Sequence, residues 1–235
     1  MAVARKSFDQ ELKTLEDMVL SLASITGEAV ADSVEALKRR EMKLVRKVHD
    51  SEAQTDSLRH QIESKCVGLL ATQQPMAGDL RRILAALVIS IDLERMADHA
   101  EGVASAAERM MVQPPLKPLV DIPRMAEIVQ DMLRKAMDAF VRRDAHLAAD
   151  FTKEDDEVDS LRSQVFRELL TYMIEDPRNI SRALELILVT QHLERMGDHA
   201  TNLGERVVYM ITGELSDLNV SERERVGQPG QSGRD

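Results

Sequence analysis

Apolar residues recur along this chain at intervals of three and four positions, which is the spacing of one face of an α-helix. The first such stretch carries Leu12, Leu15, Val19 and Leu22. The second carries Leu44, Val48, Thr55, Leu58, Ile62, Cys66 and Leu69. The alternation of β-branched and aromatic residues that would indicate strands is absent. The pattern therefore predicts an all-α protein.

Breaker residues divide the pattern into six long helices. Ser7, with Gln10 three positions later, has the form of a capping box and predicts that the first helix begins there and ends near Lys38. The remaining predicted boundaries are Gln74-Pro75 at the end of the second helix, Asp79 to Val112 for the third, Asp121 to Arg142 for the fourth, and Thr212-Gly213 at the end of the sixth.

The second half of the chain repeats the first. Leu93-Glu94-Arg95-Met96-Ala97-Asp98-His99-Ala100 returns one hundred residues later as Leu193-Glu194-Arg195-Met196-Gly197-Asp198-His199-Ala200. Earlier positions agree at an offset of 103, as in Asp56-Ser57-Leu58-Arg59 and Asp159-Ser160-Leu161-Arg162. Long helices joined by short turns form antiparallel bundles, so the repeat predicts two tandem three-helix bundles.

The prolines of 113–118 form a linker that separates the two predicted bundles. We place the first bundle at 7–112, the second at 119–212, and a disordered tail at 213–235. The third helix of each bundle is apolar on nearly every side over 83–91 and 184–189. A helix that is apolar on every side must pack against other elements on every side. We therefore expect the two third helices to contact each other, either between the bundles or across a dimer interface. A homodimer is the expected assembly.

Net charge, cysteine content and the length of apolar runs indicate which kinds of binding partner and which compartment suit the chain. The formal net charge of −10 disfavours binding to nucleic acid or to anionic lipid, because both require a basic surface. A single cysteine, Cys66, excludes an internal disulfide and fits a reducing compartment. The longest apolar run is far shorter than the roughly 20 residues of a membrane-spanning helix. We therefore expect a cytoplasmic protein.

Pairs of acidic residues four positions apart are the candidate chemistry. Glu94 and Asp98 lie on one helical face, and Glu194 and Asp198 repeat them. In the second helix of each bundle, Glu52 and Asp56 correspond to Asp155 and Asp159. Such a pair destabilises an isolated helix by about 0.2–0.5 kcal/mol. Keeping the pairs in both repeats favours a cation beside them.

A solvated acidic face is the alternative to a metal site. The chain contains 41 acidic residues, and seven pairs at this spacing are what composition alone gives. Four of the seven nevertheless fall on repeat-equivalent positions, which favours the metal. Carboxylate oxygens suit Mg²⁺, Mn²⁺, Ca²⁺ or iron. His99 and His199 project about 100° away from the second acid and are expected to be neighbours rather than ligands, and Arg95 and Arg195 to be surface partners of the acids.

Motifs of covalent or phosphoryl-transfer chemistry are not found in the sequence. It has no Gly-rich phosphate loop, no Gly-x-Ser-x-Gly and no Cys/His pair at ligand spacing. We therefore expect no enzymatic activity.

The tandem bundles with Glu/Asp-x-x-x-Asp on the second and third helices resemble the PhoU family of phosphate-transport regulatory proteins. The segments 93–98 and 193–198 are similar to the signature of that family. The resemblance implies that one metal cluster binds to Glu52, Asp56, Glu94 and Asp98, and a second to Asp155, Asp159, Glu194 and Asp198. It leaves the metal open among iron, zinc, manganese and magnesium. Asp155 departs from the Glu of the first repeat, and its shorter side chain puts the occupancy of the second site in doubt.

The same resemblance implies a negative regulator of phosphate uptake and of the phosphate-starvation response. Such a protein would be an adaptor between the ATPase subunit of the phosphate transporter and the sensor histidine kinase, and would reach the membrane only through these partners. Two other interpretations remain at the level of sequence. One is a metal-dependent phosphohydrolase with a two-metal site, and the other is a metal-free helical scaffold.

Overall fold

The computed structural model describes residues 2–149 and 151–214, and these residues form helices joined by short turns with no strand among them. The helices are α1 (Ala2–Arg39), α2 (Met42–Gln73), α3 (Ala77–Met110), α4 (Asp121–Arg142), α5 (Ala145–Ala149), α6 (Thr152–Glu175) and α7 (Ile180–Thr212), with a 3-10 turn at Pro177–Asn179. The all-α prediction is confirmed. The predicted tail lies outside the described residues from position 215 onward.

Most helix ends agree with the sequence signals. Gly213 follows α7 with a φ of 82°, which is the left-handed conformation that ends helices, and its N–H donates to the carbonyl of Tyr209. The prediction that the first helix begins at Ser7 is wrong, because α1 already begins at Ala2. No glycine or proline interrupts the first six residues, so the helix extends through Ser7 and leaves this side chain exposed within α1.

The fifth predicted helix is divided into α5 and α6. The Asp144 carboxylate accepts from the backbone N–H groups of His146 and Leu147 and so caps α5. Phe151 interrupts the helical path and is fully buried. It packs over Gly204 of α7, where a Cβ would lie 2.4 Å from the Phe151 ring and 2.5 Å from the Ala148 carbonyl oxygen. This close approach of α5 to α7 requires glycine.

The two repeats build two bundles on one continuous hydrophobic core. Helices α1, α2 and α3 pack together, as do α4, α5, α6 and α7. The most extensive packing in the molecule lies between α3 and α7, and α1 also contacts α4. Contacts such as Arg109 with Glu185 and Arg81 with Met210 show that α3 and α7 run antiparallel. The two third helices, α3 and α7, therefore meet between the bundles of one chain, which is one of the two arrangements that the sequence left open.

The third helices of the two bundles, α3 and α7, keep some large apolar side chains exposed to solvent. Ile83, Ala86 and Ile89 are buried, yet one face of α7 leaves Ile180, Leu184 and Leu188 between 43% and 50% exposed. On α3 the large apolar residues that are exposed are Leu80 and Ile91. Within one chain, the apolar segments 83–91 and 184–189 therefore remain exposed at Ile91, Leu184 and Leu188, because the neighbouring helices pack against their other faces.

Candidate functional site

The eight acidic residues singled out by the repeat lie on α2 and α3 of the first bundle and on α6 and α7 of the second. Glu94 and Asp98 lie on α3, and Glu194 and Asp198 lie on α7, all half-buried. Their positions follow from the helical register, because Leu93, Met96 and Ala97 point into the core and leave 94 and 98 at its edge. Asp56 of α2 and Asp159 of α6 are exposed.

The first acidic cluster consists of Asp56, Glu94 and Asp98. Burial raises the pKa of Glu94, and the charges of Asp98 and Asp56 raise it further. The pKa of Asp98 is also raised, first by burial and then by Asp56 among its neighbours. Asp56 of α2 therefore lies near enough to Glu94 and Asp98 of α3 for its charge to raise the pKa of both. Glu52 is exposed on α2 and is not among the charges that most shift the pKa of Glu94 or Asp98.

Arginines partly neutralise this first cluster. Arg59 Nε lies 3.8 Å from Glu94 Oε1 and is itself buried without a hydrogen-bond partner. Arg95 Nη1 lies 3.5 Å from Asp98 Oδ2, and Arg95 Nε lies 3.8 Å from Glu94 Oε2. The prediction that Arg95 is a surface partner for the acids is confirmed. Arg195 does the same in the second repeat, with Nε 3.9 Å from Glu194 Oε2.

The second acidic cluster consists of Asp155, Asp159, Glu194 and Asp198. The pKa of Asp155 is raised to about 6 by burial and by the charges of Asp198 and Asp159. A hydrogen bond from Thr201 Oγ1 at 3.4 Å opposes this rise. Burial raises the pKa of Glu194 and Asp198 as well, and Asp159 adds to both shifts. All four predicted residues of the second repeat therefore interact.

The two clusters offer oxygen donors and an excess of negative charge, which suits a hard cation. The raised pKa values show that the charged forms of these half-buried carboxylates are disfavoured. A bound cation would stabilise the charged forms. Over residues 2–149 and 151–214, no three His, Cys, Asp or Glu side chains already stand close enough together to hold one metal ion. Binding at either cluster would therefore draw carboxylates together by side-chain rotation.

At the α3–α7 interface, His99 and His199 meet two polar residues, Asp92 and His192, that the sequence pattern did not indicate. We call Asp92, His99, His192 and His199 the interface histidine cluster. His99 Nδ1 lies 3.2 Å from His192 Nδ1, and His199 Nδ1 lies 3.0 Å from Asp92 Oδ1. The signal was present in the offset of one hundred, which pairs 92 with 192 and 99 with 199. Because the third helices cross antiparallel, the contacts 99–192 and 199–92 are equivalent in the two repeats.

The histidines are partly withdrawn from water. The pKa of His99 is lowered to about 4 by burial and by the neighbouring His192 and His199. Burial also lowers the pKa of His192. His99 and His199 face the interface between the bundles, whereas Asp98 and Asp198 face α2 and α6. That the two histidines are neighbours of the acidic clusters rather than their ligands stays a prediction.

Cys66 offers no reactive thiol. The side chain is fully buried, and its Sγ donates to the carbonyl of Ile83 at 3.6 Å. Burial raises the pKa of the Cys66 thiol to about 11. The thiolate form that a nucleophile requires is therefore scarce at neutral pH.

Comparisons with known proteins agree on one family. The PhoU domain family model matches residues 19–107 and 122–207, one match in each repeat. The phosphate-specific transport system accessory protein PhoU homolog of Aquifex aeolicus is 41% identical over 206 residues, which cover 88% of this chain and 93% of that protein. The homolog of Caulobacter vibrioides is 40% identical over 210 residues, covering 89% and 91%.

Solved structures show the same fold. The crystal structure of PhoU from Pseudomonas aeruginosa aligns with a TM-score of 0.84 at 37% identity and covers 88% of this chain and 100% of that one. The phosphate transport system regulatory protein PhoU from Streptococcus pneumoniae aligns with a TM-score of 0.81 at 27% identity, covering 89% and 99%. Among the described residues, no helix has the length and apolar character needed to cross a membrane.

Proposed function

The chain belongs to the PhoU family, and from this membership we propose that it is an accessory protein of a phosphate-specific transport system. The relatives named above are accessory or regulatory proteins of phosphate transport. The observation that carries the proposal is the pair of acidic clusters, which occupies repeat-equivalent positions in both matched halves of the chain.

Within that system we propose a cytoplasmic, non-enzymatic adaptor that restrains phosphate uptake and the phosphate-starvation response. Its partners would be the ATPase subunit of the transporter and the sensor histidine kinase. The tandem bundles supply one similar acidic face per repeat, so a single chain has two related surfaces for two partners. The net charge of −10 favours basic surfaces on those partners.

Binding to purified partners tests the adaptor role. The immobilised full chain should retain both the transporter ATPase and the cytoplasmic part of the sensor kinase, and retention should decrease with salt because exposed charges are screened. Retention of neither partner would contradict the adaptor role. In cells, loss of the chain should raise phosphate uptake under ample phosphate, and unchanged uptake would contradict its role as a restraint.

We further propose that each acidic cluster binds a metal cation. Asp56, Glu94 and Asp98 would hold it in the first repeat, with Glu52 one turn away on α2. Asp155, Asp159, Glu194 and Asp198 would hold it in the second. A bound divalent cation or iron would supply positive charge that neutralises the facing carboxylates. The metal is left open among iron, zinc, manganese and magnesium.

Elemental analysis of the purified, untagged protein tests this proposal. The variant with Glu94→Gln, Asp98→Asn, Glu194→Gln and Asp198→Asn keeps the side-chain shapes and removes the charges. We expect bound metal in the wild type and a lower metal content in this variant, which has lost the charges of both acidic clusters. The control changes Glu127→Gln and Asp131→Asn, an exposed acidic pair of the same spacing on α4, and should keep the metal. Equal metal content in all three proteins, or none in the wild type after dialysis against each candidate ion, would contradict the sites.

A homodimer remains part of the proposal. Ile180, Leu184 and Leu188 lie four positions apart on one face of α7 and are all exposed. Contiguous exposed apolar side chains mark protein interaction surfaces. Leu80, the repeat equivalent of Ile180, is exposed on α3 as well.

A further inference from the structure

The interface histidine cluster holds nitrogen donors at the spacing of a metal site. The Nδ1 atoms of His99 and His192 face one another at 3.2 Å. Two nitrogens bound to one tetrahedral Zn²⁺ at about 2.0–2.1 Å lie roughly 3.3 Å apart. The ring of His199 also lies beside His99, with its centroid 5.7 Å from that of His99.

The repeat shows what is unusual about the His99–His192 contact. At the equivalent contact, His199 Nδ1 has a carboxylate partner in Asp92, which accepts an N–H in the ordinary way. At 99–192 the carboxylate is replaced by a second imidazole. Two imidazoles form a hydrogen bond only when one carries the proton and the other does not, whereas two neutral lone pairs facing one point bind a metal ion.

The surroundings orient the other donors. The Asp92 carboxylate, 9% exposed, engages Nδ1 of His199 and leaves Nε2 as the free nitrogen. A carboxylate that orients a ligating imidazole in this way is common at zinc sites. Gly102 makes room for His192, because a Cβ at this position would lie 2.5 Å from Cε1 of the His192 ring.

We propose that His99 and His192, with His199 as third ligand, form a Zn²⁺-class binding site that joins α3 to α7, distinct from the two acidic clusters. The Nδ1 atoms of His99 and His192 are the first two donors. His199 rotates its free Nε2 toward them on binding, since no three donors of the described chain already stand at coordination distance. Imidazole ligands favour Zn²⁺, Cu²⁺ and Ni²⁺ over the hard cations that suit carboxylates. The site would link the two repeats through their third helices.

Co²⁺ in place of Zn²⁺ separates this site from the acidic clusters, because tetrahedral Co²⁺ with nitrogen ligands absorbs visible light far more strongly than Co²⁺ surrounded by six oxygens. The experiment uses the full chain carrying the four acidic substitutions described above. We expect one equivalent of Co²⁺ to give the strong band and one equivalent of Zn²⁺ to abolish it. Absence of the band in both this variant and the wild type would overturn the proposal.

Substitutions at the cluster locate the ion. His99→Gln with His192→Gln should abolish the band. Asp92→Asn should weaken Co²⁺ binding roughly 10- to 100-fold, as is typical when an orienting carboxylate is lost. Gly102→Ala removes no donor but displaces the His192 ring, and should also abolish the band. His146→Gln, an exposed histidine of α5, is the matched control and should leave the band unchanged.

The outcomes distinguish this site from the acidic clusters. A band that persists in the His99→Gln, His192→Gln protein would overturn the histidine site whatever the acidic clusters bind. A wild type that contains no other metal but gives the His99-dependent band would support the histidine site alone. Circular dichroism of each variant confirms helical content, and Gly102→Ala keeps the test valid if the double histidine variant does not fold.

Discussion

At the scale of single residues, the two acidic clusters differ in the carboxylates that α2 and its repeat equivalent α6 contribute. Asp155 is half-buried and interacts with Asp159 and Asp198, whereas its repeat equivalent Glu52 is exposed. The sequence identified both positions from the offset of 103 but could not rank them, because burial depends on the packing of neighbouring helices. The expectation that the shorter side chain of Asp155 changes occupancy of the second site stays a prediction.

Asp155 makes metal-free stability depend on pH. Folding raises its pKa to about 6, from about 3.9 in an unfolded chain. The folded state therefore keeps a proton that the unfolded state has released, and this contribution to stability falls as pH rises from about 4 to about 6. Asp155→Asn should raise the free energy of unfolding by about 1–2 kcal/mol at pH 7 and have little effect below pH 4. Urea unfolding of chelator-treated protein measures this, and Asp138→Asn on an exposed face of α4 is the control.

At the scale of the elements, α5 and the break at Phe151 are features that helical periodicity does not reveal. The repeat predicted one helix there, because Leu147 and Asp159 match Leu44 and Asp56 of the second predicted helix at the offset of 103. The break depends on α7, where Gly204 admits the Phe151 ring and the Ala148 carbonyl. A tertiary contact thus interrupts a local helical preference.

Alanine substitutions at two glycines test this contact. Gly204→Ala should reduce the free energy of unfolding by about 1–3 kcal/mol, because its Cβ would overlap α5 and Phe151. Gly68→Ala is the matched control within the C-terminal part of α2, where a Cβ would meet no atom within 4 Å. It should increase the free energy of unfolding by about 0.5–1 kcal/mol through helix propensity. Equal effects of the two substitutions in thermal unfolding would contradict the role given to Gly204.

At the scale of the whole molecule, the two bundles share one core along α3 and α7. The sequence predicted two domains at 7–112 and 119–212, and that division stays a prediction. The shared core nevertheless implies that neither bundle loses its structure independently. We expect one cooperative unfolding transition, with the calorimetric enthalpy equal to the van't Hoff enthalpy. Two separate transitions in scanning calorimetry would contradict this coupling.

The exposed apolar face of α7, formed by Ile180, Leu184 and Leu188, is the proposed surface of the homodimer. Leu184→Lys with Leu188→Lys places two charges on the proposed dimer surface, and should convert a dimer to a monomer in light scattering after gel filtration. Val141→Lys on α4 changes an apolar residue that is also exposed but lies outside that face, and should leave the assembly unchanged. A monomeric wild type, or a dimer that survives the double substitution, would contradict this surface.

The sequence by itself determined the helices, the tandem repeat and the acidic pairs, because helical period, breaker residues and internal repetition are local properties of a chain. It also required the third helices to meet. Only the tertiary structure decided that they meet antiparallel within one chain, that Glu52 is exposed while Asp155 is half-buried, and that His99 faces His192 while His199 faces Asp92. Those pairings join residues about one hundred positions apart, and their geometry depends on how two helices cross, which no spacing along the chain encodes.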